Sequence, residues 1–156
     1  MKKRRIYTDT STIGGCFDPE FAIWSNGLFK DFKEGIYQPV ISELVADEIK
    51  GAPQWVFDKY LDLLDYDAEF VHITNIVMGL ADLYLERNIL TLKHYNDAVH
   101  IALATVYEVD ILTSWNFHHI VHLEKIPLFN AVNLEQGYKI ISIHSPKLVT
   151  TTTLVV

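Results

Sequence analysis

Apolar and polar positions change period several times along the chain, dividing it into short strands and amphipathic helices. Ile6 to Thr8 leans toward β structure and ends at Asp9, followed by Thr10, Ser11, Thr12 and the flexible pair Gly14 and Gly15. From Pro19 to about Lys33, the residues Phe21, Trp24, Leu28, Phe29 and Phe32 recur at helical spacing, and Gly35 is a plausible stop. Ile36 to Ile41 reads as a second strand. Ser42 stands where an N-cap belongs, opening a helix with Leu44, Val45 and Ile49 on one face and Gly51 closing it.

Pro53 begins another helix along Val56, Tyr60, Leu63 and Leu64. Thr74 is placed to cap a helix running through Ile76, Val77, Leu80, Leu83 and Tyr84. Asn96 is placed to cap one whose inward face holds Ala98, Ile101, Ala102, Thr105 and Val106. Asp110 to Thr113 reads as a strand, and Lys139 to Ile143 as another. Strands alternating with helices predict an α/β sandwich around a mostly parallel sheet, with a helical insertion from Pro53 to Val109. No repeat or linker divides residues 1–156, so one domain is expected, its ends at 1–5 and 145–156 loosely attached. The run Thr150 to Thr153 receives no role.

Composition narrows the choice of function. Of 156 residues 49% are hydrophobic and 21% charged, enough for a full core. Net charge is −7, and Lys2, Lys3, Arg4 and Arg5 supply four of the 13 basic residues, so the remaining body is more acidic still. Such a body does not hold a polyanion by a broad basic surface. The basic start is a candidate phosphate contact. A single cysteine, Cys16, excludes an internal disulfide and a cysteine-based zinc site. No apolar run approaches the ~18 residues of a membrane span, and no signal-like stretch follows the basic start, so a soluble cytoplasmic protein without membrane partners is expected.

The strand and helix pattern brings four polar side chains to one rim. Asp9 ends the first strand, Asn116 follows the Asp110–Thr113 strand, Asp97 opens the helix feeding that strand, and Glu48 lies early in the helix after the second strand. In parallel sheets the working site lies beyond the carboxyl ends of the strands. Taken singly, Asp97 is an ordinary helix-start residue and Glu48 a solvated one in competition with Asp47 and Glu43. Together, packed carboxylates repel unless a cation neutralises them. Oxygen ligands with no cysteine and no paired histidine favour Mg²⁺ or Mn²⁺ over zinc. His118, His119 and His122 have the spacing to seat a softer metal if helical, His100 reads as a packed helix residue, and Trp115 is either a base-stacking platform or a lid on the core.

The order of Asp9-Thr10-Ser11, then Val40-Ile41-Ser42 leading to Glu48, then Asn96-Asp97-Ala98, then Asp110 to Phe117 resembles a PIN domain, particularly the bacterial VapC-like branch. The resemblance runs from about Ile6 to Ile143. It implies a three-layer α/β/α fold and divalent-metal-dependent endoribonuclease activity. Asp9, Glu48 and Asp97 match the family's first three acids and would ligate Mg²⁺ or Mn²⁺; Asn116 stands at the fourth. Three residues later, where another acid is common, stands His119. Asn116 can orient a water or ligate through its carbonyl, but it adds no charge.

The resemblance further implies an RNA substrate, a small antitoxin protein whose segment plugs the cleft, and a homodimer. Two other readings compete. One is a PIN-fold module that binds RNA or protein with a degenerate site, which Asn116 favours. The other is a phosphatase with Asp9 as nucleophile, though that chemistry wants a second acid where Ser11 stands.

Overall fold

A computed structural model describes residues 2–153; the outermost parts of both ends, residues 1 and 154–156, lie outside this range. Strand β1 (Arg4–Thr8) occupies the centre of a five-stranded sheet. It pairs in parallel with β2 (Tyr37–Ser42) on one side and β4 (Ile111–Thr113) on the other, while β3 (Glu69–Val71) and β5 (Ser142–His144) form the edges. Parallel strands covered on both faces carry apolar runs rather than alternation. Accordingly Ile6, Tyr7, Val40, Ile41 and Leu112 are fully buried. Helices flank this sheet in the three-layer α/β/α arrangement of a PIN-like fold.

The helices are α1 (Thr10–Gly14), α2 (Ala22–Lys33), α3 (Glu43–Ile49), α4 (Gln54–Asp65), α5 (Asn75–Glu86), α6 (Tyr95–Val106), α7 (Ile126–Glu135) and α8 (Pro146–Val149). Ser42 Oγ accepts the Val45 amide at 3.2 Å and Thr74 Oγ1 the Val77 amide at 3.3 Å, so both expected N-caps operate. Asn96 does not cap α6. The chain enters that helix directly from a 3-10 turn at Leu92–His94, which places Asn96 inside the first helical turn. Ala98 through Thr105 are buried on every side of α6 because it lies between α5 and the sheet. The helix-rich middle also contains edge strand β3, too short for its alternation to stand out.

The C-terminal segment docks on α2. Buried Asp31 accepts Thr150 Oγ1 at 2.9 Å, the Thr151 amide at 2.9 Å, and the Thr151 hydroxyl. Gly27 makes room for it, since a Cβ there would meet Thr152 Oγ1 at 2.6 Å and Thr150 Oγ1 at 2.7 Å. Among the described residues no helix is long and apolar enough to cross a membrane.

Candidate active site

The register sets the carboxyl ends of the strands level, with Thr8 opposite Thr113 and Thr113 opposite His144. The chain proceeds from β1 outward to β2 and β3, then returns to the other side of β1 for β4 and β5. The switch in strand order therefore falls between β1 and β4, where open α/β sheets form a crevice.

Asp9 leaves β1 at this switch and is 3% exposed. Its Oδ1 accepts Ser11 Oγ at 2.7 Å, the Thr12 amide at 2.9 Å and Thr12 Oγ1 at 3.1 Å, so it caps α1. Its Oδ2 accepts Ser114 Oγ at 2.5 Å from the far side of the switch. Ser11 Oγ in turn accepts the Trp115 amide at 2.9 Å. Two serine hydroxyls thus stitch the loop after β1 to the loop after β4 and hold the carboxylate in one rotamer.

Glu48 joins the same rim from α3. Its Oε1 accepts Thr10 Oγ1 at 2.9 Å and lies 2.7 Å from His100 Nε2. His100 is buried, and its Nδ1 stands 2.7 Å from the Tyr7 hydroxyl, itself 2.7 Å from Ser42 Oγ. Burial raises the Glu48 carboxyl, but the hydrogen bond and charge of His100, helped by Thr10 and Asn96, outweigh it and hold the group below its usual range. Burial pushes the Tyr7 hydroxyl far up, so it stays protonated and available as a donor.

Asp97 lies in the first turn of α6, one turn before His100. Burial raises its carboxyl above the usual range, against the attraction of His100, His119 and His94; the charge of Asp9 adds to the rise. Asp97 lies near enough to Asp9 to feel its charge and one turn before His100, which contacts Glu48, so the three sequence-predicted acids share one rim. Asn116 is on this rim too, but its Oδ1 accepts the backbone amides of His118 at 3.2 Å and His119 at 3.0 Å, closing the turn after β4.

Other candidates lie elsewhere. His118, His119 and His122 fall outside any helix, so helical spacing does not gather them. His94 takes their place beside His119, with ring centroids 3.6 Å apart. Trp115 is a core lid: it is 8% exposed, stacks on Phe21 at 4.0 Å and donates Nε1–H to Ser25 Oγ at 2.8 Å. Gly15 is required beneath it, because a Cβ would meet Trp115 Nε1 at 2.5 Å. The basic start lies at the amino end of β1, opposite the acids. Arg5 is engaged there by Glu69 and by the Tyr107 carbonyl at 2.8 Å.

Of the supporting groups, Tyr7 and Ser114 carried no local signal, and the contact between His100 and Glu48 spans helices 52 residues apart in sequence. Only the hydroxyl cluster behind Asp9 was a legible clue.

No protein-family model and no curated protein matches the sequence. Among solved structures, the chain is similar to one in the VapBC2 structure from Rickettsia felis, bound to a DNA fragment from their promoter. The TM-score is 0.58 at 16% identity, covering 90% of this chain and 98% of that one. At this identity the likeness is one of fold.

Proposed function

We propose that this chain is a divalent-metal-dependent ribonuclease that hydrolyses RNA phosphodiester bonds as the toxin of a toxin–antitoxin pair. The observation that carries the reading is the convergence of Asp9, Glu48 and Asp97 at the β1–β4 switch of a PIN-like sheet. The likeness to a VapBC2 chain supports a small antitoxin as partner. A homodimer and a cytoplasmic location complete the proposal.

The donor set fits a hard cation. Three carboxylates share one edge, and Asp97 is raised partly by the charge of Asp9, a repulsion that a cation would relieve. Asp9, Glu48 and Asp97 would hold Mg²⁺ or Mn²⁺. Such an ion, when bound, supplies Lewis-acid stabilisation of phosphoryl charge and lowers the pKa of a bound water. Ser11, Thr12 and Ser114 hold Asp9 in place for this role. Glu48, kept ionised mainly by His100 against burial, would orient a water beside the ion or share in holding it. Asn116 keeps the turn after β4 closed beside the rim.

The test is cleavage of a mixed RNA pool with Mg²⁺, Mn²⁺ or EDTA, comparing the natural chain with Asp97→Asn. Cutting that requires metal and disappears in the folded variant supports the nuclease reading. RNA retained but never cut moves the assignment to a PIN-fold binding module, which the commitment of Asn116 Oδ1 to backbone amides favours.

A further inference from the structure

His94, Asp97 and His119 present three ligand atoms within 4.8 Å of one another, two from the start of α6 and one from the loop after β4. His94 ends the 3-10 turn before α6, Asp97 lies in the first turn of α6, and His119 lies in the turn after β4. The Nδ1 atoms of His94 and His119 stand 3.7 and 3.6 Å from the same oxygen, Asp97 Oδ2. Both separations exceed a hydrogen bond. They are close to the ~3.4 Å between ligands of a tetrahedral ion with bonds of about 2.1 Å. An octahedral Mg²⁺ would draw its ligands to about 3.0 Å.

Two ordinary ion pairs explain the cluster less well. They would close to hydrogen-bond distance, and neither does. The two rings stack at 3.6 Å with planes 24° apart, so a shared ion requires one ring to turn about its Cβ–Cγ bond to bring its in-plane lone pair onto the metal. The support is also built: the Asn116 carbonyl oxygen pins the His119 amide at 3.0 Å. Asp97 Oδ1 has no hydrogen-bond partner among the described residues, so one carboxylate can face both this cluster and the acidic rim.

We propose that His94, Asp97 and His119 form a three-ligand site for a borderline divalent transition metal of the Zn²⁺ type, its fourth position open beside the acidic rim. Two nitrogens and one carboxylate oxygen suit such ions and not Mg²⁺. The site shares Asp97 with the proposed nuclease centre but does not depend on it.

The experiment is titration of the full-length, untagged protein with Co²⁺, read as the visible absorption of a four-coordinate ion, followed by displacement with Zn²⁺. His94→Gln, His119→Gln and Glu48→Gln are measured alongside. Both histidines are partly exposed, at 29% and 27% of their side chains, and thermal melts check that each variant is folded. The expected result is a four-coordinate spectrum in the natural chain and in Glu48→Gln, with affinity more than about 100-fold weaker in each histidine variant. Absence of that spectrum in the natural chain, or its persistence in either histidine variant, overturns the proposal. No RNA enters the measurement, so it stands or fails independently of nuclease activity.

Discussion

His100 Nε2 on α6 lies 2.7 Å from Glu48 Oε1 on α3, and the same ring meets the Tyr7 hydroxyl of the central strand at 2.7 Å. An ionised carboxylate only accepts, so Nε2 carries the hydrogen that Glu48 takes. The Tyr7 hydroxyl lies 2.7 Å from Ser42 Oγ, which accepts the Val45 amide at 3.2 Å. A chain of hydrogen bonds thus runs from the N-cap of α3, through the sheet, to a carboxylate at the rim.

Replacing His100 by Phe removes the main influence that opposes burial at Glu48. The Glu48 carboxyl is expected to titrate at higher pH, followed by side-chain carbon NMR, with RNA cleavage down by about 10–100-fold. An unmoved Glu48 titration would remove His100 from its positioning role.

Glu48 also shapes stability against pH. Its folded pKa is lowered, so its contribution is present above the unfolded pKa and is lost as pH falls through the folded value. Glu48→Gln is expected to flatten the decline of melting temperature below the usual glutamate range. Melts taken across the acid limb measure this directly.

Asp97 acts in the opposite sense. Its folded pKa is raised, so its favourable contribution is full below the unfolded value and lost as pH rises through the folded one. At neutral pH the buried charge is therefore a penalty. Asp97→Asn is expected to raise the melting temperature at pH 7 while cleavage falls by about 100-fold or more. A lower melting temperature at pH 7 would contradict this account.

Ser114 is fully buried, donates to Asp9 Oδ2 at 2.5 Å and accepts the Asn116 amide at 2.9 Å. Ser114→Ala leaves a carboxylate oxygen and an amide short of partners. Denaturant unfolding should report a loss of about 1–3 kcal/mol. A neutral result would mean that the loops after β1 and β4 are held by other contacts.

The Thr-rich tail offers a separate test. Asp31→Ala removes the acceptor for Thr150 and Thr151, and a loss of about 1–3 kcal/mol is expected in denaturant melts. Gly27→Ala pushes against the same segment, and amide exchange at Thr151 should speed up. Unchanged exchange in both variants would show that the tail is anchored elsewhere.

Local chemistry determined much of this architecture by itself. Period changes marked the central strands, Ser42 and Thr74 announced the starts of α3 and α5, and an acid ending an apolar strand placed Asp9 at the edge of a parallel sheet. The logic of parallel sheets then brought Glu48 and Asp97 to the same rim, since helices begin where preceding strands end. Those signals are local or follow from topology, so a linear chain can display them.

Only the tertiary structure decided how the site is completed. Asn96 was a sound cap by type, but the 3-10 turn at Leu92–His94 starts the helical rotation earlier. Trp115 could not be assigned until Phe21 and Ser25 enclosed it. Residues with no paired-histidine spacing still bring His94 and His119 to one carboxylate, across a whole helix and strand. Such contacts arise from packing between segments remote in sequence, and neither periodicity nor spacing records which remote side chains will meet.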